Sequence, residues 1–187
     1  MDFKKLLVCV LSLMPVTFAY ANFADSVKSK SKSVTSTVTK QMEQDPHYLE
    51  SFSAHHRDAM EMAKLARDRA QDPELKRLAA KIIDDESKEI AQMDKLRQTY
   101  YPDYQAMEVQ PKKVDLSQLE GVKGREFDAR FARLMVQHHK SGIKMTNDLV
   151  PSLKNQEIKS FAQKMVSKQQ DEINKLNQIA KRSESKS

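Results

Sequence analysis

The sequence has no tryptophan, only three glycines and a single cysteine among its 187 residues. So few glycines argue against a turn-rich β-sandwich or β-barrel, because tight turns between short strands depend on glycine. Charged residues instead make up 31% of the chain, and good helix formers such as Lys, Glu, Gln, Ala and Leu recur along it. The composition and length therefore predict one compact all-α domain.

Residues 1–21 are predicted to be an export signal. A positively charged start and an apolar stretch precede a small-x-small cleavage site at Ala19-Tyr20-Ala21. The apolar stretch is too short to span a membrane comfortably, so no stable membrane insertion is expected after cleavage. Cleavage would also remove Cys9, and the mature chain could then form no disulfide and offer no thiolate to a metal. We therefore expect a periplasmic or secreted bacterial protein.

The charge of the chain excludes one class of partner. The formal net charge of +6 is modest and widely spread, and no basic helix carries interleaved aromatic residues. We expect no nucleic-acid partner. Residues 22–44, rich in Lys, Ser and Thr, are predicted to form a flexible lead, and a homodimer stays open as an alternative to a monomer.

Apolar residues at three- and four-residue spacing predict four helices. The first begins at Asp45-Pro46, where a capping carboxylate precedes proline, while Asp72 and Asn155 are expected to cap the second and fourth. The predicted helices cover residues 46–70, 73–98, 125–149 and 156–180. They make two hairpins, 45–100 and 125–180, joined by a crossover over 101–124 and followed by a frayed tail over 181–187.

The sequence repeats itself at a spacing of 83 residues. His55-His56 recurs as His138-His139 with no gap in the register between them and the pairs around them. A register preserved over this length indicates a duplicated structural unit. Because neither hairpin can bury its apolar stripe alone, we predict a four-helix bundle built from two duplicated hairpins and related by an internal pseudo-twofold axis.

The repeated histidines predict a metal site. Residues seven apart share a helix face, so a methionine seven residues after each first histidine lies on the same stripe. Imidazole with thioether and no thiolate suits copper, with Cu(I) bound through Met and His and Cu(II) through His. The candidate ligands are His55, His56, His138, His139, Met62 and Met145, with Met60, Met135, Met93, Glu89 and Glu172 as weaker candidates.

The hairpin turns give these histidines predicted partners. Antiparallel packing about the two turns places His56 level with residues 88–90 and His139 level with 171–172. Glu89 and Glu172 are thus candidate acceptors for an imidazole N–H.

Two alternatives to copper binding remain open from the residues alone. Methionine at helical spacing often only fills a core, and histidine facing glutamate can be a satisfied buried network. The chain could then be an exported helical interaction or envelope-stress protein without metal. An enzyme is not expected, because the mature chain would lack a cysteine nucleophile, a glycine-rich phosphate loop and a serine motif in its usual context.

Segments 55–63 and 135–145 resemble the repeated M-I-x-H-H-x-x-A-I-x-M-A signature of the domain-of-unknown-function 305 (DUF305) family, and segment 89–93 resembles its E-I-x-x-M. The resemblance covers about residues 45–180. It implies an exported bacterial protein with a ferritin-like four-helix bundle, and some relatives bind copper through Met and His. The departures are Phe52 at the leading Met, Gly142 and Thr146 at two Ala positions, and Leu176 where the first half has Met93. They make the two halves unequal, so metal sites in them need not be equivalent.

Overall fold

The structure, a computed structural model, describes residues 44–105 and 114–185 and confirms the predicted all-α four-helix fold. The helices are α1 (Gln44–Arg69), α2 (Pro73–Tyr100), α3 (Gly124–Leu149) and α4 (Gln156–Ser185). Single 3-10 turns cover Ser117–Leu119 and Val150–Ser152. Among these described residues, no helix is long and apolar enough to cross a membrane. The predicted export signal and nearly all of the predicted lead lie outside the described residues.

The helices pair as two hairpins, α1 with α2 and α3 with α4, which meet mainly through α1 and α3. The predicted caps at the two inner turns are confirmed. Asp72 Oδ1 accepts the backbone N–H of Glu74 at 2.7 Å, and Asn155 Oδ1 accepts that of Glu157 at 2.8 Å. Each cap satisfies helix N–H groups that have no partner within the helix.

Two apolar clusters fill the bundle, one at each end. The first core cluster lies beside the α1–α2 turn and contains Leu75, Phe127 and Phe131. The second core cluster lies beside the α3–α4 turn and contains Phe52 and Phe161. On all four helices, polar residues separate the two clusters. This central layer consists of His55, His56, Glu86, Glu89, His138, His139, Gln169 and Glu172.

The prediction that Asp45 caps its own helix was wrong. Helix α1 already begins at Gln44, and the Asp45 carboxylate accepts the backbone N–H groups of Lys154 at 2.8 Å and Asn155 at 2.7 Å. Its repeat equivalent, Asp128, accepts those of Gln71 at 2.9 Å and Asp72 at 2.8 Å. Both aspartates are 1% exposed. Each carboxylate therefore joins the start of one hairpin to the turn of the other.

Helix α4 runs to Ser185, so the frayed tail predicted from residue 181 begins too early. Ile179 and Ser183 are buried in this last part of the helix. Arg182 also donates to Glu74 at 2.7 Å and to Asp72 at 3.3 Å. Apolar burial and these contacts with the α1–α2 turn extend the helix beyond the region where its apolar periodicity is clear.

Candidate metal centre

The structure brings the four predicted histidines together in the central layer. His55 on α1 and His138 on α3 face each other across the hairpin interface, with ring centroids 3.9 Å apart. Within each pair the rings lie further apart, at 6.4 Å for His55 and His56 and 6.1 Å for His138 and His139. Equivalent positions of the two repeats therefore converge at the centre of the bundle.

Gly142 provides the space for the His55 ring. A Cβ atom at position 142 would lie 2.8 Å from His55 Cε1 and 3.0 Å from Gln169 Oε1, closer than carbon atoms normally approach. The repeat equivalent is Ala59, which is fully buried. The departure from the family signature at Gly142 thus has a physical cause, namely close contact between α3 and an imidazole from α1.

His56 makes the contact predicted from the hairpin register. Its Nε2 lies 2.7 Å from Glu89 Oε2, and Lys168 Nζ donates to Glu89 Oε1 at 2.9 Å. Burial alone would raise the pKa of Glu89, but hydrogen bonds from His56 and Lys168 lower it below its usual range. Since an ionised carboxylate can only accept, Nε2 carries the ring proton and donates it. The Nδ1 atom of His56 then keeps a free lone pair.

His139 also lies beside its predicted partner, although in a different way. Its Nε2 is 3.0 Å from Glu172 Oε2, but the approach is out of line with the ring N–H and forms no hydrogen bond. Glu86 approaches the same place from α2. One ligand atom each from Glu86, His139 and Glu172 lie within 4.8 Å of one another, and all three residues are buried.

Glu86 was not among the ligands predicted from the sequence. In the sequence, Glu86 interrupts the apolar stripe of α2 at the point where Gln169 interrupts that of α4. Such an interruption indicates a polar interior but does not identify a ligand. Glu86 is 2% exposed, and burial, with the charge of Glu172 adding to it, raises its pKa well above the usual range. A carboxyl group in such a position is costly unless it acquires a partner.

Unpartnered polar atoms are concentrated in this layer. Across residues 44–105 and 114–185, ten buried side-chain nitrogen and oxygen atoms have no hydrogen-bond partner. All ten belong to His55, His56, Glu86, His138, His139 and Gln169. Each such atom costs on the order of 1–3 kcal/mol, and buried polar atoms in folded proteins are rarely left so. The layer therefore contains several buried lone-pair atoms without a partner.

Burial holds His55, His56 and His138 in the neutral form that binds metals. Burial, with neighbouring histidines adding to it, lowers the pKa of His55 to about 3 and that of His138 to about 2. Burial also lowers the pKa of His56. Near neutral pH these imidazoles are unprotonated, so their lone pairs are available to an ion.

The sequence matches the family described as domain of unknown function (DUF305) over residues 45–180. The chain belongs to the DUF305 family. This confirms the resemblance seen in the paired histidine segments, and the match covers both hairpins. A comparison with curated proteins found no match.

Solved structures of CopM are similar to this DUF305 chain. Its Cu(II)-bound form is 28% identical, with 74% of this chain and 96% of CopM covered and a TM-score of 0.63. Its Cu(I)-bound form is 30% identical, with 72% and 93% covered and a TM-score of 0.61. A DUF305 protein from Streptomyces coelicolor is 23% identical, with 75% and 92% covered and a TM-score of 0.66, which shows the shared fold alone.

The methionines of this DUF305 chain lie on both sides of the central layer. Met62 is buried in the first core cluster, and Met145 packs partly buried against the second. Seven residues advance a helix by about 10 Å, but helical side chains lean toward the N-terminus. Met62 and Met145 therefore lie on opposite sides of the layer, at helix positions from which side chains generally lean back toward it.

The weaker methionine candidates are part of the packing. Met135 is buried in the first core cluster and Met93 in the second, where Met93 Sδ accepts the Ser53 hydroxyl at 3.6 Å. Met60 is half-buried.

Proposed function

We propose that this protein binds copper in its central layer, in the periplasm or outside the cell, and that it sequesters or delivers the ion without turnover. One observation carries the proposal. Every unpartnered buried polar side-chain atom in the described part of the chain lies in this layer, around imidazoles that burial keeps neutral. A bound cation would supply a partner for the lone-pair atoms among them, which are the unprotonated imidazole nitrogens and the carboxyl and amide oxygens.

The proposed ligands follow from the geometry of the rings. His55 and His138 face each other from different hairpins and together offer two imidazole nitrogens to one ion. His56 offers Nδ1, because its Nε2 is engaged by Glu89. His139 completes the four histidines, while Met62 and Met145 approach from either side. Two or more imidazoles suit either oxidation state of copper, and a thioether favours Cu(I).

The choice of copper has support from a relative. CopM, 28–30% identical to this chain, is known in Cu(I)-, Cu(II)- and Ag-bound forms. The histidine and methionine donor set of this chain suits the same soft ions. Export is supported by the signal-like residues 1–21, and mass spectrometry of protein from a periplasmic fraction should find a mature chain that begins at Asn22.

Titration of the mature protein tests copper binding. Cu(I) and Cu(II) are titrated against a competing chelator for wild type, for the double variant His55→Ala/His138→Ala, and for His47→Ala. His47 is exposed and lies outside the central layer, so its variant is the matched control. We expect tight binding by wild type and control and a large loss in the double variant. Equal affinities for all three proteins would refute the proposal.

Thermal unfolding separates this function from a purely structural role of the histidines. If they bind copper, the ion should raise the melting temperature of wild type and of His47→Ala but not of the double variant. If they only organise the core, the double variant should melt lower while copper shifts none of the three proteins. Circular dichroism shows whether the variants keep their helices.

A further inference from the structure

The two halves of the central layer differ in charge although they derive from one repeat. At the spacing of 83 residues, Glu86 corresponds to Gln169, Glu89 to Glu172 and Asp85 to Lys168. From the first repeat to the second, one carboxylate is thus replaced by an amide and one anion by a cation, while the third position keeps its glutamate. The first repeat therefore contributes more acidic residues to this region than the second.

Lys168 forms ion pairs with two carboxylates of the first repeat. Its Nζ lies 2.9 Å from Glu89 Oε1 and 3.2 Å from Asp85 Oδ2, so Glu89 is paired with a cation. The repeat equivalent of Lys168 is Asp85, which cannot form such an ion pair with Glu172. Among the described residues, no Lys or Arg forms an ion pair with Glu86 or Glu172.

We propose that Glu86, His139 and Glu172 form a second metal site, distinct from the facing His55–His138 pair, that takes a divalent cation of borderline character such as Zn²⁺. The ligand set is one imidazole nitrogen and two carboxylate oxygens, with no sulfur. Zinc binds such ligands at about 2.0–2.2 Å and accepts three protein ligands with a water in the fourth position. Cu(I), by contrast, prefers softer ligands.

The geometry needs only a small adjustment to hold the ion. The three ligand atoms already lie within 4.8 Å of one another. Two ligand atoms that each lie about 2 Å from a tetrahedral ion are roughly 3.3 Å apart. Side-chain rotations that move each ligand atom by about an ångström would therefore close the site. Each glutamate can make such a rotation through its flexible side chain.

Glu86 gives an independent indication of a ligand at this site. It is 2% exposed, and both of its carboxyl oxygens lack a partner. Protonation would not remove this deficit, since one oxygen would then need an acceptor and the other still a donor. A divalent cation satisfies the oxygens and offsets the charge that Glu172 adds.

Gln169, the uncharged counterpart of Glu86, lies beside the facing His55–His138 pair. Gln169 Oε1 and His55 Cε1 both lie within 3.0 Å of the position that a Cβ of residue 142 would take, so the amide belongs with the facing pair. The inference rests on the proposed metal-binding role of the layer and refines it: His139, which was counted with the copper ligands, is assigned to a separate ion from His55 and His138.

The test uses the full mature chain with Zn²⁺ alone and, separately, with Cu(I). Glu86→Gln places in the first repeat the residue that the second carries at Gln169, with nearly the same volume. It should weaken Zn²⁺ binding at least about tenfold and leave Cu(I) affinity unchanged. Tenfold is the lower end of the loss expected when a residue that only hydrogen-bonds a metal ligand is replaced, so the loss of a ligand should cost at least as much. His55→Ala should have the opposite selectivity. Glu172→Gln should weaken Zn²⁺ binding in the same way.

The outcomes separate this inference from the copper proposal. Zn²⁺ binding that is the same in wild type and in Glu86→Gln, or absent from both, overturns the second site and leaves copper binding standing. Zn²⁺ binding that depends on Glu86, with no copper binding by wild type, overturns the copper proposal instead. A Glu86 with a structural role alone predicts that Glu86→Gln changes the melting temperature while Zn²⁺ shifts neither protein.

Discussion

The substitution Gly142→Ala tests the close contact at the centre of the layer. The new Cβ would lie 2.8 Å from His55 Cε1 and 3.2 Å from its Nε2, where about 3.5–4.0 Å is comfortable for carbon. The ring would have to move by roughly 0.7 Å or more. The ring is confined, however, by two other rings. The Phe52 ring stacks on it with centroids 5.5 Å apart, and the His138 ring lies at a centroid distance of 3.9 Å.

Two opposing terms set the effect of Gly142→Ala on stability. Overpacking of a filled interior costs about 1–3 kcal/mol, while alanine in place of glycine within a helix contributes about 1 kcal/mol. We therefore expect a loss of about 0–2 kcal/mol in the free energy of unfolding, measured by urea titration without metal. Copper affinity should fall about tenfold or more, since a displacement of one ligand by nearly an ångström spoils its alignment.

Ser141→Ala is the matched control for this experiment. Ser141 is exposed on the same helix, so its substitution changes helix propensity without touching the layer. Its copper affinity should equal that of wild type. If Gly142→Ala instead shows the full gain of about 1 kcal/mol in stability and normal copper affinity, the His55 ring does not occupy the position described.

Three further predictions concern pH, the turns and the partner of an imidazole. Burial lowers the pKa of His55 and His138 to about 3 and about 2 from 6.5, so the unfolded chain binds more protons below pH 6.5. Without metal, the free energy of unfolding should fall by up to about 1.4 kcal/mol per histidine per pH unit as pH decreases from 6.5 toward 3, measured by urea titrations at several pH values. Asp128→Ala leaves two backbone N–H groups without their acceptor and should cost about 3 kcal/mol in the same assay, whereas exposed Asp84→Ala should change stability by less than about 0.5 kcal/mol. Glu89→Gln should weaken copper binding about 10–100-fold in chelator competition, because the group that fixes the imidazole tautomer is lost; unchanged affinity would contradict that role.

The sequence was sufficient for the helices, the duplication and the pairing of His56 with Glu89. The position of the α1–α2 turn sets the register of an antiparallel hairpin, so residues equally far from the turn lie side by side. The contact of 2.7 Å between His56 and Glu89 confirms this register. Apolar periodicity and the position of the turn are sufficient to predict this contact, because both of its residues lie within one hairpin.

Contacts between hairpins could not be predicted in the same way. Asp45 has the sequence context of a helix cap, yet its carboxylate accepts N–H groups more than 100 residues away in the chain. The extension of α4 to Ser185 depends on Arg182 reaching the α1–α2 turn. Glu86 was visible as a break in an apolar stripe. That it forms no ion pair with a Lys or Arg of the described residues follows from where Lys168 lies in three dimensions.

The reciprocal contacts of Asp45 and Asp128 bear on how such a chain could arise. Each aspartate lies in the first two turns of a helix of 26 residues, which is roughly 40 Å long. It therefore lies far from the turn of its own hairpin. A lone ancestral copy would leave its turn amides without their acceptor, whereas two identical copies side by side would complete each other. Gene fusion of such a symmetric dimer would turn a concentration-dependent assembly into a tethered one. Only then could the two halves of the central layer diverge independently.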